Sequence, residues 1–162
     1  MKKLILAAFS TLLISGFAMA SGGKDDVTWF SQRSFYENFG AVPVQQWIGE
    51  SKFDKAIFMK DGKLTTAYFS KNGQFIGTIQ DATYADLPVQ AQRFIESKYG
   101  VASVQRIVDY DDNEDSDARM SFNGFPMPDA DNYFVMLRNK KQEDIVFLVS
   151  HDGQVSFFEN LK

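Results

Sequence analysis

Phe39-Gly40-Ala41-Val42-Pro43-Val44-Gln45-Gln46-Trp47 aligns with Tyr99-Gly100-Val101-Ala102-Ser103-Val104-Gln105-Arg106-Ile107 at an offset of 60. Further along, Phe69-Ser70-Lys71-Asn72-Gly73-Gln74 aligns with Val149-Ser150-His151-Asp152-Gly153-Gln154 at an offset of 80. Similarity of a chain to itself at a long spacing marks a repeated structural unit. The step from 60 to 80 requires 20 extra residues in the second copy, between Ile107 and Tyr133. The acidic run Asp109 to Asp117 and the segment Phe125-Pro126-Met127-Pro128 lie there, so an inserted loop is expected at about 109–131.

Each copy opens on a helix. In the second, Asp86-Leu87-Pro88 places a capping side chain and an early proline before Val89, Phe94 and Ile95, and Gly100 is the stop. In the first, a helix is expected from about Thr28 to Gly40, with Trp29, Phe30, Arg33, Tyr36 and Phe39 on its core side. Strands follow. Asp61-Gly62, Asn72-Gly73 and Asp152-Gly153 read as two-residue hairpin turns with both central residues at positive φ. They join Lys55–Lys60 to Leu64–Ser70, Leu64–Ser70 to Gln74–Gln80, and Ile145–Ser150 to Gln154–Glu159, while a longer turn at Asn139–Asp144 follows Tyr133–Arg138. With Val44–Trp47 and Val104–Tyr110, each copy has four antiparallel strands. The expected fold is α+β: two tandem helix-plus-four-stranded antiparallel meander units, with the helices on one face of the sheet. The first unit spans 21–85 and the second 86–162.

These residues carry a family resemblance. A helix ending in Phe39-Gly40-Ala41, then Val44-x-x-Trp47, a strand ending Ala67-Tyr68-Phe69, the Asn72-Gly73 turn and Asp86-Leu87-Pro88 resemble the PepSY-like family. This group is also described as beta-lactamase-inhibitor-protein-like periplasmic proteins of Gram-negative bacteria. The resemblance covers roughly 27–160. It implies an exported protein of two such units; the insertion departs from the family's short connection. The motifs are structural, so they speak to fold before activity.

The N-terminus supports export independently. Met1-Lys2-Lys3, the apolar run Leu4 to Phe17 and Ala18-Met19-Ala20 are the three parts of a cleaved secretory signal over 1–20. No cysteine stands at the cut, so a lipid tether has no attachment atom, and the expected location is the periplasm or the medium. No later stretch is long and apolar enough to span a bilayer. Without Lys2 and Lys3 the 17 basic residues fall to 15 against 21 acidic ones, a net charge of −6. An acidic chain with no basic cluster lacks the means to neutralise phosphates, which argues against nucleic acid.

Catalytic constellations are sparse. With no cysteine and one histidine, His151, thiol nucleophiles and thiolate or His-rich metal sites are excluded. His151 stands in a turn, where the first copy has Lys71, so it reads as a solvated position. No Gly-rich phosphate loop is present. No cofactor is expected. A carboxylate-pair hydrolase stays open by residue type alone, and small-ligand or Ca²⁺ binding by the acidic insertion is the nearer alternative. The stronger signal lies in the strands, whose side chains alternate between faces. With Ile57, Ala67, Phe69 and Phe75 toward the helices, the opposite face shows Phe58, Tyr68 and Ile76, and in the second unit Phe134, Met136, Leu148 and Phe158. An open sheet face is ordinarily polar. This composition suits a contact surface for an extracytoplasmic protein or peptide partner in a non-enzymatic, inhibitor-like binding module.

Overall fold

The computed structural model describes residues 26–118, 120–122 and 125–161. The expected signal segment, 1–20, lies outside the described residues. Helix α1 (Trp29–Phe39) precedes β1 (Val44–Gly49), β2 (Phe53–Lys60), β3 (Lys63–Ser70) and β4 (Phe75–Ala82). Helix α2 (Val89–Lys98) precedes β5 (Val104–Asp112), β8 (Asn132–Arg138), β9 (Asp144–Ser150) and β10 (Val155–Leu161). Between β5 and β8 lie two short strands, β6 (Ser121–Phe122) and β7 (Phe125–Pro126), paired with each other. The eight long strands form one antiparallel sheet in chain order. The two meanders join through β4 and β5, paired from Gly77↔Asp112 to Ala82↔Ile107.

Both helices pack on the same face. Beneath α1, Phe35, Ala56, Phe58, Ala67 and Phe69 form one buried cluster, with Phe35 and Phe58 edge to face at 5.0 Å. Beneath α2, Leu87, Ala91 and Ile95 meet Ile107, Val135, Leu137, Phe147 and Val149. Complete burial of such a side chain contributes roughly 1.5–3 kcal/mol, so these two clusters hold the helices to the sheet.

Helix α1 has the expected ends but not the expected inner face. Thr28 is the N-cap, its hydroxyl accepting from Ser31 N–H at 3.2 Å, and Gly40 at φ 71 closes the helix. Ser31, Ser34 and Phe35 point inward, while Trp29, Phe30 and Tyr36 are exposed. At 100° per residue, Trp29, Arg33 and Tyr36 form one outward row. The two inward serines are small enough to let the helix approach closely, and Phe35, with the partly buried Phe39 beside it, fills the space beneath the helix. The N-terminus of α2 also differs from expectation. Asp86 bonds back to Thr83 N–H and Oγ1, both at 2.8 Å, closing the 3₁₀ turn Tyr84–Asp86. Pro88 takes the cap position of α2 with no side-chain bond.

Among the three glycine turns, only Asp61-Gly62 has both residues at positive φ, 51° and 79°. At the other two only the glycine is positive, Gly73 at 86° and Gly153 at 93°, and Gly N–H returns to Ser70 O or Ser150 O at 2.8 Å. These are three-residue loops closed by a glycine bulge. Each lies against the start of its unit's helix. A Cβ on Gly73 would meet Phe30 Cβ at 2.7 Å, and one on Gly153 would meet Pro88 Cβ at 3.2 Å.

Candidate binding face of the sheet

The face away from the helices carries its own hydrophobic cluster. Tyr68, Ile76, Ile79, Val108, Tyr110, Phe134 and Val146 are buried there, with Phe53, Leu148, Phe158 and Leu161 partly buried around them. What covers the centre is the insertion. Its Met120 and Met127 are buried in the same cluster, and Ala118 packs beside them. Met127 N–H donates to Met120 O at 2.9 Å, continuing the β6–β7 pairing, so the two methionines sit opposite each other at the base of a small hairpin. The described residues of the insertion, 113–118, 120–122 and 125–131, thus form a strap over the sheet.

The residues picked from sequence therefore separate into three groups. Tyr68, Ile76 and Phe134 lie on this face but are buried, in the same cluster as the strap's methionines. Met136, Leu148 and Phe158 lie on it half-buried, toward the β8–β10 side. Phe58 is on the other face, 1 % exposed and packed against Phe35 and Phe39. The two-residue turn at Asp61-Gly62 decides this. It pairs Lys60 with Lys63, hence Phe58 with Thr65 and Ala56 with Ala67, and partners across a ladder share a face. Ile57, expected beneath the helices, points the other way.

Where the strap leaves and rejoins the sheet, carboxylates crowd together. Asp112 N–H donates to Asp131 Oδ1 at 2.8 Å, and Tyr110 donates its hydroxyl to Asp112 Oδ1. Burial pushes the Asp112 carboxyl above its ordinary value; the Tyr110 hydroxyl opposes this, and Asp129 and Asp131 add to it. On the helix face of β5, Asp111 is also raised, by burial and then by Asp131, against the pull of Lys60. Asn113 ties the strap's root to β4, its N–H to Ile76 O at 2.9 Å and its Nδ2 to Phe75 O at 2.8 Å. Among the described residues no three His, Asp or Glu side chains converge as ligands for a metal ion.

His151 faces a carboxylate and an aromatic ring. Its Nε2 lies 3.1 Å from Asp109 Oδ1 and its ring packs 4.8 Å from Tyr133. The adjacent Ser150 donates its hydroxyl to Asp152, within the turn, and not to the imidazole.

The architecture has solved counterparts. A BLIP-like protein from Bacteroides fragilis superposes with a TM-score of 0.64 at 15% identity, covering 86% of this chain and 89% of its own. The fold is BLIP-like. A DUF2874 family protein from Bacteroides ovatus matches with a TM-score of 0.64 at 12% identity, over 84% of this chain and 89% of that one. A protein from Bacteroides eggerthii, provisionally described as periplasmic, matches with a TM-score of 0.62 at 13% identity, over 84% and 90%. No family model matches this chain. No curated protein matches it either. Among its described residues no helix is long and apolar enough to cross a membrane.

Proposed function

We propose that this chain is an exported, non-enzymatic binding module that takes a protein or peptide partner on the sheet face away from its helices. One observation carries the reading. Met136, Leu148 and Phe158 form an apolar, half-buried margin beside the strap, where an open sheet face would ordinarily be polar. Such a margin suits a partner that completes the burial, in the manner of an interface core. The PepSY-like resemblance, the cleaved signal over 1–20 and a periplasmic or secreted location fit this reading, as does a duplication with units at 21–85 and 86–162. Inhibition of an extracytoplasmic enzyme is one form such binding would take.

The test is capture from periplasmic extract with immobilised wild type and the variants Met136→Glu and Leu148→Glu. Wild type retains a discrete protein that both variants lose, while their circular dichroism and cooperative melting persist. Equal retention by folded variants refutes this face as the contact. Turnover of hydrolase substrates by the wild type, abolished by changing one Asp or Glu, refutes the non-enzymatic reading.

A further inference from the structure

The β3–β4 turn carries a reactive dipeptide, and the second unit shows the same turn with the product residue in place. Asn72 is exposed and is followed by Gly73, whose missing Cβ leaves its nitrogen unshielded. Ser70 donates its hydroxyl to Asn72 Oδ1, the oxygen that gathers negative charge when a nucleophile adds to Cγ. The loop is closed twice, by Gly73 N–H to Ser70 O at 2.8 Å and by Ser70 N–H to Gln74 O at 2.9 Å. Gln74 N–H also reaches Ser70 Oγ at 3.0 Å. The β9–β10 turn repeats each of these bonds. Gly153 N–H meets Ser150 O at 2.8 Å, and Ser150 N–H meets Gln154 O at 3.0 Å. Gln154 N–H reaches Ser150 Oγ at 3.0 Å, and Ser150 donates its hydroxyl to Asp152 Oδ1. One cradle therefore holds an asparagine in the first unit and an aspartate in the second.

We propose that Asn72 is a site of spontaneous deamidation, and that the folded turn directs the product to aspartate, the residue the second unit already carries. Gly73 N gives up its proton and bonds to Asn72 Cγ; the Cγ–Nδ2 bond breaks and that nitrogen leaves as ammonia. Water then opens the cyclic imide. Attack at Cγ restores the peptide bond and leaves an aspartate side chain. Attack at the main-chain carbonyl leaves isoaspartate, with one extra carbon in the main chain. Either way one water is consumed and one ammonia released, with no change of oxidation state. The turn accepts the first product, because Asp152 already presents a carboxylate to the same serine hydroxyl. It has no slack for the second. Both closing bonds span a three-residue loop, and a Cβ on Gly73 would already meet Phe30 backbone carbon and oxygen at 2.8 Å. Ring closure needs the Gly73 N–H to leave Ser70 O, so the turn opens briefly and recloses on aspartate. The change adds one negative charge beside Lys71, whose ammonium is held by Asp54.

Ageing the whole protein at mildly alkaline pH tests this, followed by digestion in acid and mass spectrometry of the peptide that carries Asn72. In the native protein that peptide is expected to gain about one mass unit, NH2 becoming OH. It is read apart from the peptide with Asn123-Gly124, another such dipeptide, which lies outside the described residues. Isoaspartate is counted by labelling with isoaspartyl methyltransferase. Its share is expected to be at least about fivefold lower after native ageing than after ageing in urea, since strain in the lengthened turn disfavours it. The variant Asn72→Asp is expected to melt within about 2 °C of wild type. An unchanged mass at Asn72 in the native protein overturns the proposal, and so does an equal isoaspartate share in native and unfolded protein. A larger fall in the melting temperature of Asn72→Asp also overturns it, because the turn would then reject the carboxylate.

Discussion

Lys71 Nζ lies 2.7 Å from Oδ1 of Asp54, a carboxylate with no exposed surface, and through this pair the β3–β4 turn is tied to the first turn of α1. The other oxygen of Asp54 accepts from Thr28 N–H at 2.9 Å, Thr28 Oγ1 at 3.0 Å and Ser31 Oγ at 2.7 Å. One buried group thus joins helix, strand and turn. In the second unit the turn position of Lys71 holds His151, which reaches Asp109 across Tyr133. The two units share a fold but not this fastening.

Replacing Asp54 should therefore loosen α1. Asp54→Ala removes the acceptor of Thr28 N–H and the carboxylate partner of Lys71, with an expected loss of about 3 kcal/mol, read as a fall in Tm. The pH dependence has a definite sign. Burial alone would raise the Asp54 carboxyl, but Lys71, the Thr28 N–H, Ser31 and the Thr28 hydroxyl together hold it below the ordinary value. The unfolded chain then binds the proton more tightly, so this contribution is complete above about pH 4 and disappears as pH falls through the lower folded value. Wild-type Tm should drop more steeply in acid than that of Asp54→Ala. Parallel curves would exclude the effect.

Asp112 has the opposite sign. Its folded value is raised, chiefly by burial, with Asp129 and Asp131 outweighing the Tyr110 hydroxyl. The folded protein then holds the proton more tightly, and at neutral pH the ionised group opposes folding. Asp112→Asn keeps the acceptor for Tyr110 and removes the charge. It should stabilise the protein by about 1 kcal/mol at pH 7, with the gain fading as pH approaches about 4. A destabilised variant at pH 7 would show that the charge is compensated.

The two bulge glycines differ in how tightly they are enclosed. Alanine at either must adopt a positive φ, but at Gly73 its Cβ also meets Phe30 backbone carbon and oxygen at 2.8 Å. At Gly153 the nearest atoms are Pro88 Cβ at 3.2 Å and Gln90 Cβ at 3.4 Å. Gly73→Ala should cost about 3 kcal/mol and Gly153→Ala about 1 kcal/mol in urea unfolding. Equal losses would mean that the β3–β4 turn can move off α1.

On α1 the inward and outward residues should part clearly. Phe35→Ala empties the cluster shared with Phe58 and Phe69 and should cost about 3–5 kcal/mol. Trp29→Ala and Tyr36→Ala, at 63% and 64% exposure, should stay within about 0.5 kcal/mol of wild type. Chemical denaturation separates the two outcomes. A large loss at Trp29 would place it in the core instead.

Much of the architecture was legible because it depends on local chemistry. The paired Gly40 and Gly100 stops, the glycine turns and the recurring Val-Gln segments act within a few residues, and they fall where helices end and strands turn in the structure. The candidate face was legible only in part. Alternation along β3 assigns Tyr68 and Phe69 to opposite faces, yet it does not say which face meets a helix. Phe58 was assigned to the wrong face, although counting outward from Asp61-Gly62 pairs it with Thr65 and places it beside Ala67. The aromatic residues of α1 misled for another reason. Hydrophobic side chains are poor witnesses to burial when a helix exposes Trp29 and Tyr36 and turns two serines inward.

By itself, the sequence determined the tandem helix-and-meander order, which follows from residue type and short-range spacing, and it carries no cysteine and one histidine. The insertion was expected from 109, but Asp109–Asp112 belong to β5. Only the tertiary structure decided that Phe58 lies under α1, that Ser31 and Asp54 meet, and that Met120 and Met127 are buried in one cluster with Tyr68 and Phe134. Those outcomes depend on contacts between segments far apart in the chain. Several faces of a strand or helix can be apolar, and only the packed arrangement selects which of them is covered and by what.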